Sequence, residues 1–279
     1  LGVRLFSGAP YSIRNLPCET NLFFSYVSHM SLFVSTFLMV SGKIISMKKL
    51  LLSLALILPA FAAQSFETPA KQAMLLDATH NTVLFDKASD EQMTPSSMSK
   101  LMTLYALFQD IKDGKLSLED DLPVSEKAWR MGGSKMFVRV DTRVKVEDLI
   151  QGIAVQSGND ACVVVAEGLS GTEEAFAERL NRLADELGLK HSHFVNATGW
   201  PDEGHVMSPH DLVILTQKMR ANFPEMMHYF TETEFSYNDI FQYNRHPLLG
   251  GELGVTGMKT GHTDAGGYGV VISASKDGR

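Results

Sequence analysis

Between residues 96 and 111 the apolar side chains Met98, Leu101, Met102, Tyr105 and Phe108 recur at steps of three and four, the spacing of a buried helix. Such a helix needs surfaces to pack against, and the chain supplies strand patterns on both sides of it. Ala73 to Asp77 and Val83 to Phe85 flank His80-Asn81 as the arms of a hairpin. Near the far end, Met258 leads a strand carrying Lys259 and Thr260, Gly266-Gly267 turn it, and Tyr268 to Ser273 returns as its antiparallel partner. Helical patterns fill the interval. One begins in Val144 to Gly152, Ser157-Gly158-Asn159 interrupts it, and another resumes from Ala161 to Glu167. Glu173 to Leu187 is amphipathic and stops at Gly188, and Ser208-Pro209-His210-Asp211 caps a helix through Met219. Thr94-Pro95 is read as an N-cap and first-turn proline for the helix from Ser96. Strands at both ends with helices between them predict an α+β domain, an antiparallel sheet packed against a helical cluster. Lys276-Asp277-Gly278 reads as a hairpin turn without its return strand, so the sheet is expected to lack its last strand within the 279 residues.

Charge is distributed unevenly. Residues 1–62 hold five basic side chains (Arg4, Arg14, Lys43, Lys48, Lys49) and one acid, Glu19. Of the totals of 25 basic and 32 acidic groups, the remainder therefore holds 20 and 31, a net of −11. An acidic body argues against nucleic acid as a partner. The basic end has a different logic. Met47-Lys48-Lys49 opens a basic segment, Leu50 to Leu58 is an apolar and small-residue run, Pro59 breaks it, and Ala60-Phe61-Ala62 supplies the small residues of a cleavage site. This is the layout of a secretory signal peptide over residues 47–62, with a mature body from about residue 63. Leu22 to Gly42 carries no charge and is long enough to span a bilayer. A second export signal directly behind a membrane span would be redundant, so residues 1–46 are expected to lie outside the native protein. The two cysteines, Cys18 and Cys162, then reduce to one, which is read as core packing.

Three short motifs carry the candidate chemistry. Ser97-Met98-Ser99-Lys100 sits at a helix start, where a three-residue step puts hydroxyl and amine on one face. A serine nucleophile needs an adjacent base, and a lysine serves when burial or neighbouring cations lower its pKa. Ser157-Gly158-Asn159 follows 60 residues later in an interhelical loop, able to offer a hydroxyl for proton shuttling and an amide for a substrate carbonyl. Lys259-Thr260-Gly261, 162 residues beyond Ser97, places groups able to hold a carboxylate on a strand edge, where glycine lets backbone approach a ligand. Each alone is weak; in this order, on these elements, the three are mutually reinforcing.

In these motifs the sequence resembles the serine D-alanyl-D-alanine carboxypeptidases among the low-molecular-mass penicillin-binding proteins. Thr94 to Thr103 (TPSSMSKLMT), Gln156 to Cys162 (QSGNDAC), His193 to Pro201 (HFVNATGWP), Asp211-Leu212 and Lys259 to Asp264 (KTGHTD) carry the likeness over roughly residues 70–279. Trp200, where the family has leucine, and Ser208-Pro209-His210, where it has Thr-Ala, depart from it. The resemblance implies a DD-peptidase/β-lactamase-like transpeptidase fold and removal of a terminal D-alanine from peptidoglycan stem peptides. It implies Ser97 as nucleophile, Lys100 as proton acceptor and Ser157 as proton relay. Asn159 would hold the site together, Lys259 and Thr260 would bind the terminal carboxylate, and Gly261 would admit the substrate. The backbone N–H groups of Ser97 and His262 would form the oxyanion hole. It further implies acylation by β-lactams, no cofactor or metal, a periplasmic location at the outer face of the inner membrane, and a C-terminal membrane anchor lying beyond Arg279.

Other candidates read more simply. His191 and His193 have no third ligand at recognisable spacing, so a solvated strand lead-in is expected. Gly132-Gly133-Ser134-Lys135 misses the phosphate-loop spacing and is read as a turn. The aromatic-rich stretch Tyr229 to Tyr243 is read as covering the core rather than facing a glycan. A class A β-lactamase is the nearest enzymatic alternative. It requires a water-activating glutamate between the second and third motifs, and Asp202 and Glu203 do not sit in its Glu-x-x-x-Asn arrangement. A non-catalytic penicillin-binding sensor is the other alternative, and an intact nucleophile–base pair argues against it. A gene product starting at Met47 should be exported and cleaved near Ala62; N-terminal sequencing of the exported protein checks this, and a mature start upstream of Met47 would refute it.

Overall fold

A computed structural model of the chain describes residues 67–275, all within a compact unit spanning Phe66–Arg279. The expected signal peptide, residues 1–46 and the Lys276-Asp277-Gly278 turn lie outside the described residues. Among the described residues, three hairpins, one further strand pair and a cluster of helices make up the body, as expected for an α+β domain. β1 (Ala73–Asp77) and β2 (Thr82–Lys87) pair antiparallel, with a register shift at Leu75/Leu76. Short strands β3 (Asp121–Pro123) and β4 (Arg143–Lys145), and then β5 (Glu234–Tyr237) and β6 (Ile240–Tyr243), form two further antiparallel pairs. The long ladder joins β7 (Val255–Thr263) to β8 (Gly267–Ala274). Among the described residues these remain four separate two-stranded ladders, so strands from the two ends of the chain do not share hydrogen bonds in one sheet. They are bridged through a helix instead.

Helix α1 (Lys100–Lys112) is the centre of the domain. Every side chain from Lys100 to Phe108 is buried, so the helix is enclosed all round rather than along one stripe. Helix α2 (Glu126–Arg130) is a short surface turn, and α3 (Val146–Ala154) buries Val146, Leu149, Ile150 and Ile153. Helix α4 (Asn159–Ser170), buried from Asn159 to Ala166, lies against α1. α5 (Glu173–Leu187) shows the amphipathic pattern in full. Phe176, Ala177, Leu180 and Ala184 face inward, Thr172 Oγ1 accepts the Ala175 N–H at 3.1 Å, and Gly188 closes the helix at φ +78°. α6 (Pro209–Asn222) starts as its sequence requires, with Ser208 Oγ accepting the Asp211 N–H at 3.1 Å and proline in the first turn. This helix packs against both β1 and β8, with Arg220 Nη1 donating to Ser273 Oγ at 2.9 Å.

The start of the central helix differs from expectation. Thr94 makes no cap; the first turn is a 3₁₀ segment, Ser96–Ser99, whose N-cap is Pro95. The geometry is set by Ser96, held at φ +49° while its hydroxyl bonds Thr263 Oγ1 at 2.7 Å. A tertiary contact to β7 thus replaces a local cap. The aromatic-rich segment divides. Tyr229, Phe230 and Phe235 are buried as expected, whereas Phe241 and Tyr243 on β6 are exposed. Tyr268, Val270 and Ile272 line one face of β8 and are also exposed.

Candidate active site

Ser97 lies on the 3₁₀ turn and Lys100 opens α1, so one turn separates them. Lys100 Nζ donates to Ser97 Oγ at 2.8 Å and also to the Thr198 carbonyl oxygen. That carbonyl is aimed by its own loop. Asn196 Oδ1 accepts from the backbone N–H groups of Thr198 and Gly199 at 3.1 and 2.9 Å, closing an Asx turn. Thr103 Oγ1 ties the same loop to α1 through the Ala197 carbonyl at 2.7 Å. Gly199 sits at φ +76°, where a Cβ would come 1.9 Å from the Ser96 carbonyl oxygen, so the loop can approach the helix start only with glycine there.

Lys100 is fully buried. Loss of hydration lowers its pKa from the ordinary 10.5 to about 8; the opposing pull of Cys162 and Asp160 and the like charge of Arg245 are smaller. The shift makes the neutral amine more abundant near pH 7 by about two orders of magnitude. Lys259, buried on β7, falls to about 7, through burial first and then the charge of Lys100. Its Nζ donates to the Thr260 carbonyl at 3.2 Å. Cys162 is buried, and burial pushes its thiol up to about 12 against the smaller opposing charges of Lys100 and Lys259, as fits core packing.

The remaining predicted residues divide by how firmly they are held. Ser157 is buried at φ +66°, and its Oγ has no hydrogen-bond partner among the described residues. Asn159 is anchored twice, its N–H donating to the Ser134 carbonyl at 2.7 Å and its Nδ2 to the Gly132 carbonyl at 2.9 Å. Gly261 lies against the helix start, where a Cβ would be 3.0 Å from the Pro95 carbonyl oxygen. Thr260 is half-buried and His262 exposed, its ring 4.0 Å from that of Tyr268. Ser97 and Lys100 are joined directly, and Lys259 is coupled to Lys100 through charge. Among the described residues no hydrogen bond links Ser157 or Asn159 to those three.

Several contributors are not identified by the motifs. Asp160 Oδ1 accepts from Met136 N and Ala161 N, and its Oδ2 from Phe137 N and Val138 N, at 2.8–3.1 Å. This buried carboxylate holds the 134–138 segment against Asn159. Arg245 Nη1 donates to Ser134 Oγ at 2.7 Å. The turn at Gly132-Gly133-Ser134-Lys135 is therefore part of the frame, supplying both carbonyls that fix Asn159. An aspartate directly after a motif asparagine is a signal that sequence could have offered; Arg245 gives none. The histidines behave as surface groups, with His193 Nδ1 3.0 Å from the Gly204 carbonyl oxygen and His191 Nε2 3.7 Å from Asp90. Among the described residues no group of three or more His, Cys, Asp or Glu could hold a metal ion, and no helix is long and apolar enough to cross a membrane.

A serine bonded to a buried, pKa-lowered lysine, on an α+β body, defines the class of Ser–Lys acyl-transfer folds. Residues 59–279 match the D-alanyl-D-alanine carboxypeptidase family. The chain is 36% identical over 218 residues to D-alanyl-D-alanine carboxypeptidase DacF of Bacillus subtilis, an alignment covering 74% of this chain and 54% of DacF. It is similar to penicillin-binding protein 5 from Haemophilus influenzae at 35% identity and a TM-score of 0.73, over 76% of this chain and 64% of that structure. Penicillin-binding protein D2 from Listeria monocytogenes, solved in its ampicillin-bound form, aligns at 26% identity and a TM-score of 0.68, over 75% and 86% of the two chains. The chain belongs to the D-alanyl-D-alanine carboxypeptidase family, and it spans about half the length of the curated relatives it matches.

Asp160→Ala should destabilise the domain by about 3 kcal/mol, because buried backbone donors lose their acceptor. Urea unfolding measures this; a change under 1 kcal/mol would show that Asp160 does not hold the frame.

Proposed function

We propose that this chain carries the catalytic domain of a serine D-Ala-D-Ala carboxypeptidase, with residues 63–279 as that domain and residues 47–62 as its export signal. The observation that carries the reading is the 2.8 Å contact between Ser97 Oγ and the buried amine of Lys100. In the neutral state favoured by burial, Lys100 takes the Ser97 proton as Oγ attacks the carbonyl of the penultimate D-alanine. The backbone N–H groups of Ser97 and His262 stabilise the oxyanion. Ser157 relays a proton to the departing D-alanine nitrogen, the C–N bond breaks, and an ester on Ser97 remains. Water, deprotonated by Lys100, then hydrolyses that ester. Lys259 and Thr260 hold the terminal carboxylate, Asn159 the substrate amide region, and Gly261 allows close approach. The substrate is a peptidoglycan stem peptide, met in the periplasm at the outer face of the inner membrane, with a C-terminal anchor beyond this chain. β-Lactams, which bear a carboxylate and a strained amide, acylate the same serine.

The β-lactamase alternative needs a carboxylate to activate water on the acyl-enzyme. Asp202 and Glu203 are exposed, and Asp160 is engaged by four backbone donors. Penicillin treatment should therefore leave a long-lived mass adduct on the peptide containing Ser97, absent in Ser97→Ala, alongside steady release of D-alanine from a D-Ala-D-Ala peptide. Rapid hydrolysis of penicillin without D-alanine release would establish a lactamase instead.

The two lysines predict a bell-shaped pH profile for kcat/KM on a carboxylate-ended peptide. Rate rises with pH as Lys100 loses its proton and falls as Lys259 loses its own, the apparent values belonging to the pair. Lys259→Ala should lower kcat/KM by about 1.5–3 kcal/mol of lost charge-assisted contact and abolish the descending limb. A descending limb that survives the substitution would refute the carboxylate-binding role.

A further inference from the structure

Beside the site lies a second, unassigned cleft of about 240 Å³, lined by Trp129, Phe137, Ile240, Lys135, Arg139 and Asn238. It is formed between the 129–139 segment and the tip of the β5–β6 hairpin, which Asn238 Nδ2 joins to the Phe137 carbonyl at 3.1 Å. Its walls are unusual for surface. Trp129 is 44% exposed and Phe137 45% exposed, although their neighbours Ala128, Met136 and Val138 are buried. Phe137 is also held at φ +71°, a conformation that bulky residues avoid, and the carboxylate of Asp160 fixes its N–H at 2.8 Å. Folding alone gains nothing from presenting a large ring to water at such a backbone angle.

The cleft shares its wall with the segment that anchors Asn159. Asn159 bonds the Gly132 and Ser134 carbonyls, and Lys135 Nζ bonds the Trp129 carbonyl at 2.9 Å. The chain has two tryptophans, and both are exposed on this segment's surface. The ring of Trp200 rests on Gly132 and Gly133, where added Cβ atoms would meet it at 3.6 and 3.0 Å. Trp200 is in turn two residues beyond the Thr198 carbonyl that receives Lys100. Exposed aromatic faces thus run from the lysine loop, over the two glycines, to the cleft.

We propose that this cleft binds a sugar ring of the glycan strand that bears the stem peptide, an N-acetylated amino sugar seated on Trp129 and Phe137. The proposal rests on the carboxypeptidase reading of the adjoining site. Flat apolar rings bordered by hydrogen-bonding groups suit a pyranose, which has an apolar C–H face and a polar rim. The cleft is smaller than sites for drug-sized ligands, as suits one ring. Lys135 and Arg139 place two cations at its rim on a body of net charge −11, complementary to a strand whose stems carry carboxylates. Reach is also satisfied. A five-residue stem extends at most about 18 Å, so its sugar must lie close to Ser97, and the lining residue Lys135 directly follows Ser134, whose carbonyl accepts the Asn159 N–H.

The test compares one pentapeptide ending in D-Ala-D-Ala, free and attached to its disaccharide, and titrates chitotetraose as a peptide-free probe. The wild-type protein should show kcat/KM at least tenfold higher on the disaccharide-linked peptide and saturable binding of chitotetraose. Trp129→Ala should erase both while leaving penicillin acylation and free-peptide turnover unchanged. Ile240→Asp, at an exposed hairpin position, should do the same without loss of buried packing. No preference in the wild type, or equal loss on both substrates with acylation intact, overturns the subsite. If neither peptide is turned over, the carboxypeptidase reading fails, and chitotetraose binding lost in the variants still decides the subsite; absence of that binding in the wild type overturns it.

Discussion

Burial of the Lys100 amine is the constraint around which the domain is organised. An ammonium with no access to water must find acceptors, and two are provided: the Ser97 hydroxyl one turn away and the Thr198 carbonyl from a loop nearly a hundred residues on. Both acceptors are supplied by backbone that has little freedom. Ser96 is tied to Thr263 on β7, and the 196–199 loop is closed by Asn196 and admitted to the helix start by a glycine. The same burial that demands these partners also lowers the amine's pKa toward the range where it can accept a proton. Structural need and chemical capability therefore have one cause.

A second buried charge organises the opposite wall. Asp160, one residue beyond Asn159, spends its carboxylate on four backbone donors and so rigidifies the segment that carries Gly132, Ser134 and Phe137. With four N–H groups accepted, its oxygens have no lone pair left for a catalytic water. The wall it holds presents backbone carbonyls to Asn159 on one side and exposed rings on the other. This economy explains why a short turn between α2 and β4 contributes to two surfaces.

Positive φ occurs at eight non-glycine residues among those described, several of them in hairpin turns, and three fall on segments around the site. Ser96, Phe137 and Ser157 are non-glycine residues in this region, on the helix start, the 134–138 segment and the interhelical loop. Ser96 is held by a contact to Thr263, remote in sequence, and Phe137 by the buried carboxylate of Asp160. Ser157 combines this conformation with a buried hydroxyl that has no partner among the described residues.

Much of this was legible in the chain itself. The three- and four-residue spacing of Met98, Leu101, Met102, Tyr105 and Phe108 required a buried helix, and Gly188 and Ser208-Pro209 delimited their helices, because periodicity and caps are local properties. The Ser97–Lys100 pairing was equally local, since one helical turn is enough to bring the two side chains together. What the tertiary structure decided was everything that depends on long-range approach. Thr94 gave way as a cap because Ser96 bonds β7. The strands of the two ends stayed in separate ladders, bridged by α6. The turn at Gly132-Gly133-Ser134-Lys135 became part of the site because Asn159 and Asp160 reach back to it. Phe241 and Tyr243 faced outward while Phe235 faced in. A sequence records which residues can form a helix, a cap or a nucleophile–base pair; whether a lysine is stripped of water, and by which distant carbonyl it is held, is set only when the chain closes on itself.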